Sequence, residues 1–232
     1  TTVSMLSFWI GYNQQKKSYA YLFFIGVAFS VLSKGPVGIV ITVFPLFLWA
    51  LITKQYINRE KVKSFPWVSG TILSICLFMP WFIISEFKTP GYLKYFILDE
   101  HIYKYLVPGW HGDRFGNPHP ETRGTIFLFW FAGAFPWSVI PFFLLLYKDF
   151  RKKIKEIFRL NKNWITYLMA WTVAALIFFT FSRNILSTYI VTGIPAYSIL
   201  LMFLVREIEN KKLSINLKEL KVKLFYYFSI SF

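Results

Sequence analysis

Lys34 stands between two apolar runs, residues 29–33 and 36–40, and is followed by Gly35 and Pro36. A cation that close to hydrocarbon is costly to keep and points to a function. Beside a Gly-Pro turn with freed backbone amides, a lysine could hold a phosphate as a point charge. The plainer reading is a lysine snorkelling to the interface. A second short polar stretch, residues 182–189, carries Arg183 and Tyr189. Placed at the same membrane level as Lys34, they would make two cations and a phenol at one depth, which suits a lipid phosphate. An ordinary polar loop would carry the same residue types.

A third group lies in residues 91–106, where Leu93, Phe96, Ile97, Ile102 and Leu106 recur at helical spacing around Asp99, Glu100, His101 and Lys104. This pattern predicts an amphipathic helix lying in the membrane interface, with Phe96 and Ile97 toward the acyl boundary. Its polar face would gather Glu100, His101 and Lys104 at spacings of three and four, over a cavity beneath the loop. Adjacent residues do not share a helix face. Glu100 and His101 would therefore need a carboxylate from elsewhere to hold a divalent ion, which imidazole plus carboxylate suits. His101 is the candidate metal ligand; a hydrogen bond to a headgroup or a neighbouring carboxylate is the plainer role. Trp110 and Phe115, set among glycines, prolines and polar groups in 109–124, could cover a sugar ring or anchor the loop to headgroups.

These groups need a membrane scaffold. Of the 232 residues 56% are hydrophobic, 22% aromatic and only 16% charged, against about a quarter charged in soluble domains. Six apolar stretches approach the length of a spanning helix: 18–33, 36–52, 66–85, 124–147, 164–181 and 188–205. Partial spans flank them at 1–11 and from Leu224. The fold class is all-α, a polytopic transmembrane helical bundle of about six full spans plus two partial ones. A long external loop, 86–123, contains the interfacial amphipathic helix. The first two full spans should meet as a tight hairpin at Lys34-Gly35-Pro36.

Charge sets the orientation. Lys and Arg number 26 against 11 Asp and Glu, a net +15. They concentrate in residues 14–17, 53–65, 148–163 and 206–223, which are every second connection and so share one side. The positive-inside rule makes that side cytoplasmic. The connections 33–35, 86–123 and 182–187 then lie outside. A nucleic-acid binder could show this balance but not the long aromatic and apolar runs, so no nucleic-acid partner is expected. Cys76 is the single cysteine, which excludes an internal disulfide and a cysteine metal site. Both ends read as cut within membrane segments, so residues 1–232 are taken as a membrane-domain fragment of a longer protein.

In order along the chain, Leu32-Ser33-Lys34-Gly35-Pro36, Pro80-Trp81 closing a helix, the stretch Asp99 to Tyr105, Ala134-Phe135-Pro136-Trp137 and the stretch 182–195 resemble motifs of the GT-C membrane glycosyltransferases. The similarity is to the bacterial lipid A aminoarabinose transferases, which share a fold with protein O-mannosyltransferases. Lys104 stands where that family has Arg, and Asn184 where it often has Gly. The resemblance implies an inverting sugar transferase of the bacterial inner membrane. It would take a glycosyl group from a polyprenyl-phosphate donor and pass it to a lipid, glycan or protein acceptor at the periplasmic face. It implies that Lys34, Lys104, Arg183 and Tyr189 bind that substrate, that His101 lies near a divalent metal ion, and that the catalytic aspartate lies N-terminal to this sequence. The alternatives are a polytopic transporter, whose ionisable groups should sit near the midplane, and a non-catalytic membrane subunit, which should not bind polyprenyl phosphate.

Overall fold

Long apolar runs leave the backbone no partner in hydrocarbon but itself, and the chain answers with helices. The structure, a computed structural model, describes residues 1–55, 58–112, 119–146 and 148–210. Helix α1 (Thr2–Gln14) leads through Gln15 into α2 (Lys17–Lys34), and α3 (Val37–Thr53) follows after a turn of two residues. The short α4 (Arg59–Ser64) is capped by the Asn58 side chain, which accepts from Lys61 N at 3.3 Å. It leads into α5 (Trp67–Lys88). A helical stretch then opens as α6 (Tyr92–Lys94), becomes a π-helix (Tyr95–Tyr103) and closes as α7 (Lys104–Leu106). Next come α8 (Thr125–Gly133), α9 (Ile140–Leu144), α10 (Lys148–Leu160) and α11 (Lys162–Thr180). A 3-10 helix (Ser187–Thr192) and α12 (Ile194–Asn210) complete the order.

Helix α2 is the hub: α1, α3 and α5 all pack on it, while α11 packs on α3 and α12. Lipid offers no hydrophobic drive for such association, so close packing and side-chain hydrogen bonds must supply it. Gly38 lets α3 approach α2 so closely that a Cβ there would lie 2.5 Å from the Ser30 carbonyl oxygen. Phe8, Tyr12, Phe23, Trp49, Phe65 and Tyr167 form one buried aromatic cluster. Within it the Tyr167 hydroxyl donates to Met5 O at 2.6 Å.

The two ends of the bundle differ in chemistry. At one end Trp49 Nε1 donates to Asn163 Oδ1 at 2.8 Å, the Tyr12 hydroxyl to Gln55 O at 3.4 Å, and Lys61 Nζ to Asn13 Oδ1 at 3.4 Å. Parts of two basic connections, with Asn13 at the edge of a third, thus gather there. Gly35, the start of the long loop and residues 184–189 gather at the other. Residues 211–223 and the partial span from Leu224 lie outside the described residues.

Among the described residues, two helices are long and apolar enough to cross a bilayer, Arg59–Lys88 and Lys162–Thr180; Val37–Thr53 is apolar but shorter. The expected hairpin at Gly35 forms. Other expectations are corrected. Helix α5 runs through Pro80 to Lys88 instead of closing at Pro80-Trp81. Stretch 124–147 is not one helix: α8 stops at Gly133 and α9 restarts at Ile140. Pro136 brings no N–H to the turn between them, and the Ser138 hydroxyl donates to Phe131 O at 2.7 Å, serving a carbonyl at the break. Stretch 188–205 begins as the 3-10 helix and becomes α-helical only past Gly193.

Candidate functional site

At the end of the bundle opposite the basic connections lies a cavity of about 850 Å³. Four distant parts of the chain line it: the α2–α3 turn with Ser33 and Lys34, α5 with Trp81 and Phe82, the π-helix with Tyr95, Glu100 and His101, and the 3-10 helix with Thr188 and Tyr189. Lys104 and His119 complete its polar wall.

Helix α2 ends where Gly35 takes φ 63 and donates its N–H to Val31 O at 2.7 Å. Lys34 is therefore the last residue of α2, where a cation also complements the helix dipole, and it is exposed on the cavity side. The amphipathic stretch 91–106 is helical as expected, but its central turns have π geometry, in which the repeat is longer than four residues. Groups five apart now meet. The Tyr95 hydroxyl donates to Glu100, and the rings of Phe96 and His101 lie 4.8 Å apart. The expected pairing four apart also holds: Lys104 Nζ lies 3.2 Å from Glu100 Oε2. Both Glu100 and His101 line the cavity. Phe96 departs from its expected place at the acyl boundary. It turns inward onto Phe82, centroids 5.6 Å apart, while Ile97, Ile102 and Leu106 stay exposed.

His101 spans two segments. Its Nδ1 lies 2.6 Å from Phe96 O and its Nε2 3.0 Å from Lys34 O. Both neighbours are acceptors, so a neutral ring, with one N–H, satisfies only one of them. A metal ligand needs a free nitrogen lone pair, and neither nitrogen offers one here. Glu100 is engaged by Tyr95 and Lys104. Among the described residues no group of three or more His, Cys, Asp or Glu side chains is placed to hold a metal ion. These residues as arranged do not fit a divalent ion: His101 would have to release a carbonyl and meet ligands from elsewhere.

Of the four expected substrate ligands, Lys34, Lys104 and Tyr189 line the cavity and Arg183 does not. Arg183 contributes its backbone, its N–H donating to Tyr105 O at 2.9 Å and its carbonyl accepting from Glu121 N at 3.3 Å. Trp110 stacks on Tyr103 at 4.9 Å, away from the cavity lining; Phe115 lies outside the described residues. Tyr105 donates its hydroxyl to Phe178 O at 2.6 Å, and burial pushes its phenol up from the ordinary tyrosine range.

The residue that sequence reading undervalued is Asn184. Its Nδ2 donates to Lys104 O at 2.6 Å and to Val107 O at 2.8 Å, and its Oδ1 accepts from Gly109 N at 3.2 Å. Its backbone bridges Pro120. One buried amide thus fixes the Lys104 end of the π-helical stretch to the end of α11. Asn184→Ala is expected to strand these three groups, at about 1–3 kcal/mol for each that water cannot reach. Thermal unfolding of the full-length protein in detergent would read the loss, and a midpoint equal to wild type would refute it.

Comparison with known proteins adds to this geometry. Residues 1–96 match the family model "Dolichyl-phosphate-mannose-protein mannosyltransferase". The undecaprenyl phosphate-alpha-4-amino-4-deoxy-L-arabinose arabinosyl transferase of Wigglesworthia glossinidia brevipalpis is 27% identical over 225 residues, 95% of this chain and 36% of that protein. The transferase of the same name from Yersinia pestis (strain Pestoides F) is 26% identical over 239 residues, 95% of this chain and 37% of its own. The chain therefore spans about a third of the length of the curated relatives it matches. The crystal structure of ArnT from Cupriavidus metallidurans bound to undecaprenyl phosphate superposes with a TM-score of 0.69 at 19% identity, covering 88% of this chain and 35% of that one; this likeness is one of fold. The family match at the N-terminal end, relatives along almost the whole chain and a shared membrane fold agree, and the resemblance to the GT-C membrane glycosyltransferases holds in both sequence and three dimensions.

Proposed function

We propose that this chain is the membrane segment of a glycosyltransferase that takes a sugar from a polyprenyl-phosphate donor and passes it to a lipid, glycan or protein acceptor at the periplasmic face of a bacterial inner membrane. The observation that carries this is the convergence of Lys34, Lys104 and Tyr189, from three distant segments, on one cavity. Charge builds up on the phosphate as the glycosidic bond breaks. Donors already aimed at that charge lower the barrier without reorganising. The ammonium of Lys34 and the hydroxyl of Tyr189 are donors of this kind, and Glu100 holds Lys104 beside them. The ionisable groups lie at one end of the bundle, where a headgroup arrives, rather than at mid-helix as transport would require. The relatives' names and the undecaprenyl phosphate bound to ArnT point to the same donor class.

The test is transfer by the full-length protein from an undecaprenyl-phosphate sugar, with binding of undecaprenyl phosphate measured beside it. Transfer and binding are expected; a well-folded protein that does neither is not an enzyme of this class.

The reading carries a polytopic topology with the cavity outside and the basic connections inside. In a Cys76→Ser background, Lys94→Cys is expected to react with an impermeant maleimide on intact spheroplasts, and Lys63→Cys only after permeabilisation. The reverse pattern would invert the orientation.

A further inference from the structure

Helix α10 is strongly basic along thirteen residues. It carries Lys148, Arg151, Lys152, Lys153, Lys155 and Arg159 against Asp149 and Glu156. At about 100° per residue, Lys148, Arg151, Lys152, Lys155 and Arg159 fall on one arc of roughly 100°. All five are exposed. Glu156 falls beside this arc, not within it. The opposite side holds Phe150, Ile154 and Ile157, with Lys153 beside them and Phe158 next to Arg151; Ile157 is fully buried, and the helix packs on α11 and α12.

Its connections fix where it lies. One residue, Asn161, separates α10 from α11, and the corner is tied by Asn161 N donating to Ile157 O at 2.9 Å and Ile165 N to Asn161 O at 3.0 Å. Helix α11 is long and apolar enough to span. On the other side Leu145 and Leu146, both exposed apolar residues, end two residues before the helix. Apolar segments that enter hydrocarbon on both sides pin α10 at the bilayer surface, whichever face that is.

We propose that α10 is a docking surface for anionic phospholipid, its cationic arc holding phosphodiester headgroups while its apolar side and Leu160 rest on the bundle and the acyl boundary. Charge complementarity selects the partner. A basic amphipathic helix in the interface plane draws anionic lipid in proportion to its cations, and headgroups are the anions that its position brings into contact. A soluble polyanion would have to be recruited to a site that headgroups already surround. The consequence is a local enrichment of anionic lipid beside α11 and α12, independent of the cavity at the other end.

The experiment places a fluorophore at Leu160→Cys in the full-length Cys76→Ser protein, in nanodiscs, and measures quenching by brominated phosphatidylglycerol against brominated phosphatidylcholine. The wild-type arc is expected to favour the anionic lipid by about fivefold or more. Replacing Arg151, Lys152, Lys155 and Arg159 with Gln should bring the ratio close to one, while exchanging Arg and Lys among the same positions should preserve it. Raising salt should erode the preference in the unmutated arc, which decides the matter even if the Gln variant fails to insert. Equal quenching by both lipids, a preference indifferent to salt, or no quenching by either would overturn the proposal. So would binding of a soluble acidic polymer without any lipid preference.

Discussion

Lys34→Ala in the full-length protein is expected to reduce transfer by about 100-fold or more while leaving insertion and fold intact. The size follows from what the side chain does under the proposed function: a preorganised donor facing a developing oxyanion is worth about that much when deleted. The fold should survive because Lys34 is exposed and contributes to its neighbours through its backbone. Its carbonyl meets His101 Nε2, and alanine keeps that carbonyl. The loss of helix-dipole complementarity at the end of α2 is a small term, about 0.3–1 kcal/mol. Lys34→Arg tests the kind of contact. A compact point charge and a planar fork are not equivalent, so partial rescue indicates a charge requirement and none indicates a geometric one. Near-normal transfer by Lys34→Ala would make the residue a snorkelling cation, and the phosphate site would have to be rebuilt around Lys104 and Tyr189.

Continuous apolar runs were the most legible part of the sequence, α3 forming even through Pro45. Residues 18–33 and 36–52 became α2 and α3 almost to the residue, since hydrocarbon leaves a continuous apolar run no alternative to helix. Less legible were the places where composition stays apolar but the backbone turns. Hydropathy cannot distinguish residues 124–147 from a span, yet α8 stops at Gly133 and α9 restarts at Ile140 around Pro136; α3 and α5 run through Pro45 and Pro80, so a proline alone does not mark the break. The π turns of 95–103 were equally hidden. Period counting assumed α geometry, and the register is tied down by contacts that only tertiary structure supplies: Tyr95 to Glu100, and His101 to a carbonyl 67 residues earlier. The site shows the same division. Lys34, His101 and Tyr189 stood out by residue type and Lys104 by the resemblance, and all four line the cavity. Arg183 looked equally good by residue type but serves the structure through its backbone. Asn184, beside it, looked like one more polar loop residue and proves to tie three segments.

Gly35→Ala should be the most disruptive single change at the site, because two independent penalties fall on one atom. Gly35 has φ 63 and ψ −153, a region essentially reserved for glycine and worth about 1–3 kcal/mol of strain to any other residue. An added Cβ would also lie 2.6 Å from both Cε1 and Nε2 of His101 and 2.7 Å from Phe96 Cζ. Neither ring can yield easily. Phe96 is wedged against Phe82 and Tyr92, and His101 has a backbone carbonyl against each ring nitrogen. Relief requires the π-helix to move off the turn, breaking His101 Nε2 from Lys34 O and drawing Glu100 and Lys104 with it. The expected outcome is a protein that still inserts, because the hairpin's apolar helices are unchanged, but that loses transfer at least as completely as Lys34→Ala and unfolds at lower temperature. Shrinking the obstacle separates the two penalties. In a Gly35→Ala, His101→Ala double variant the clash with the imidazole disappears while the Phe96 contact and the backbone strain stay, so stability should recover in part relative to Gly35→Ala alone. Double-variant stability no better than the single would remove the His101 contact from the account and leave the cost with Phe96 and the backbone. Wild-type transfer by Gly35→Ala would mean that His101 and Phe96 leave room for a Cβ at Gly35, and the cavity wall between Lys34 and His101 would have to be drawn differently.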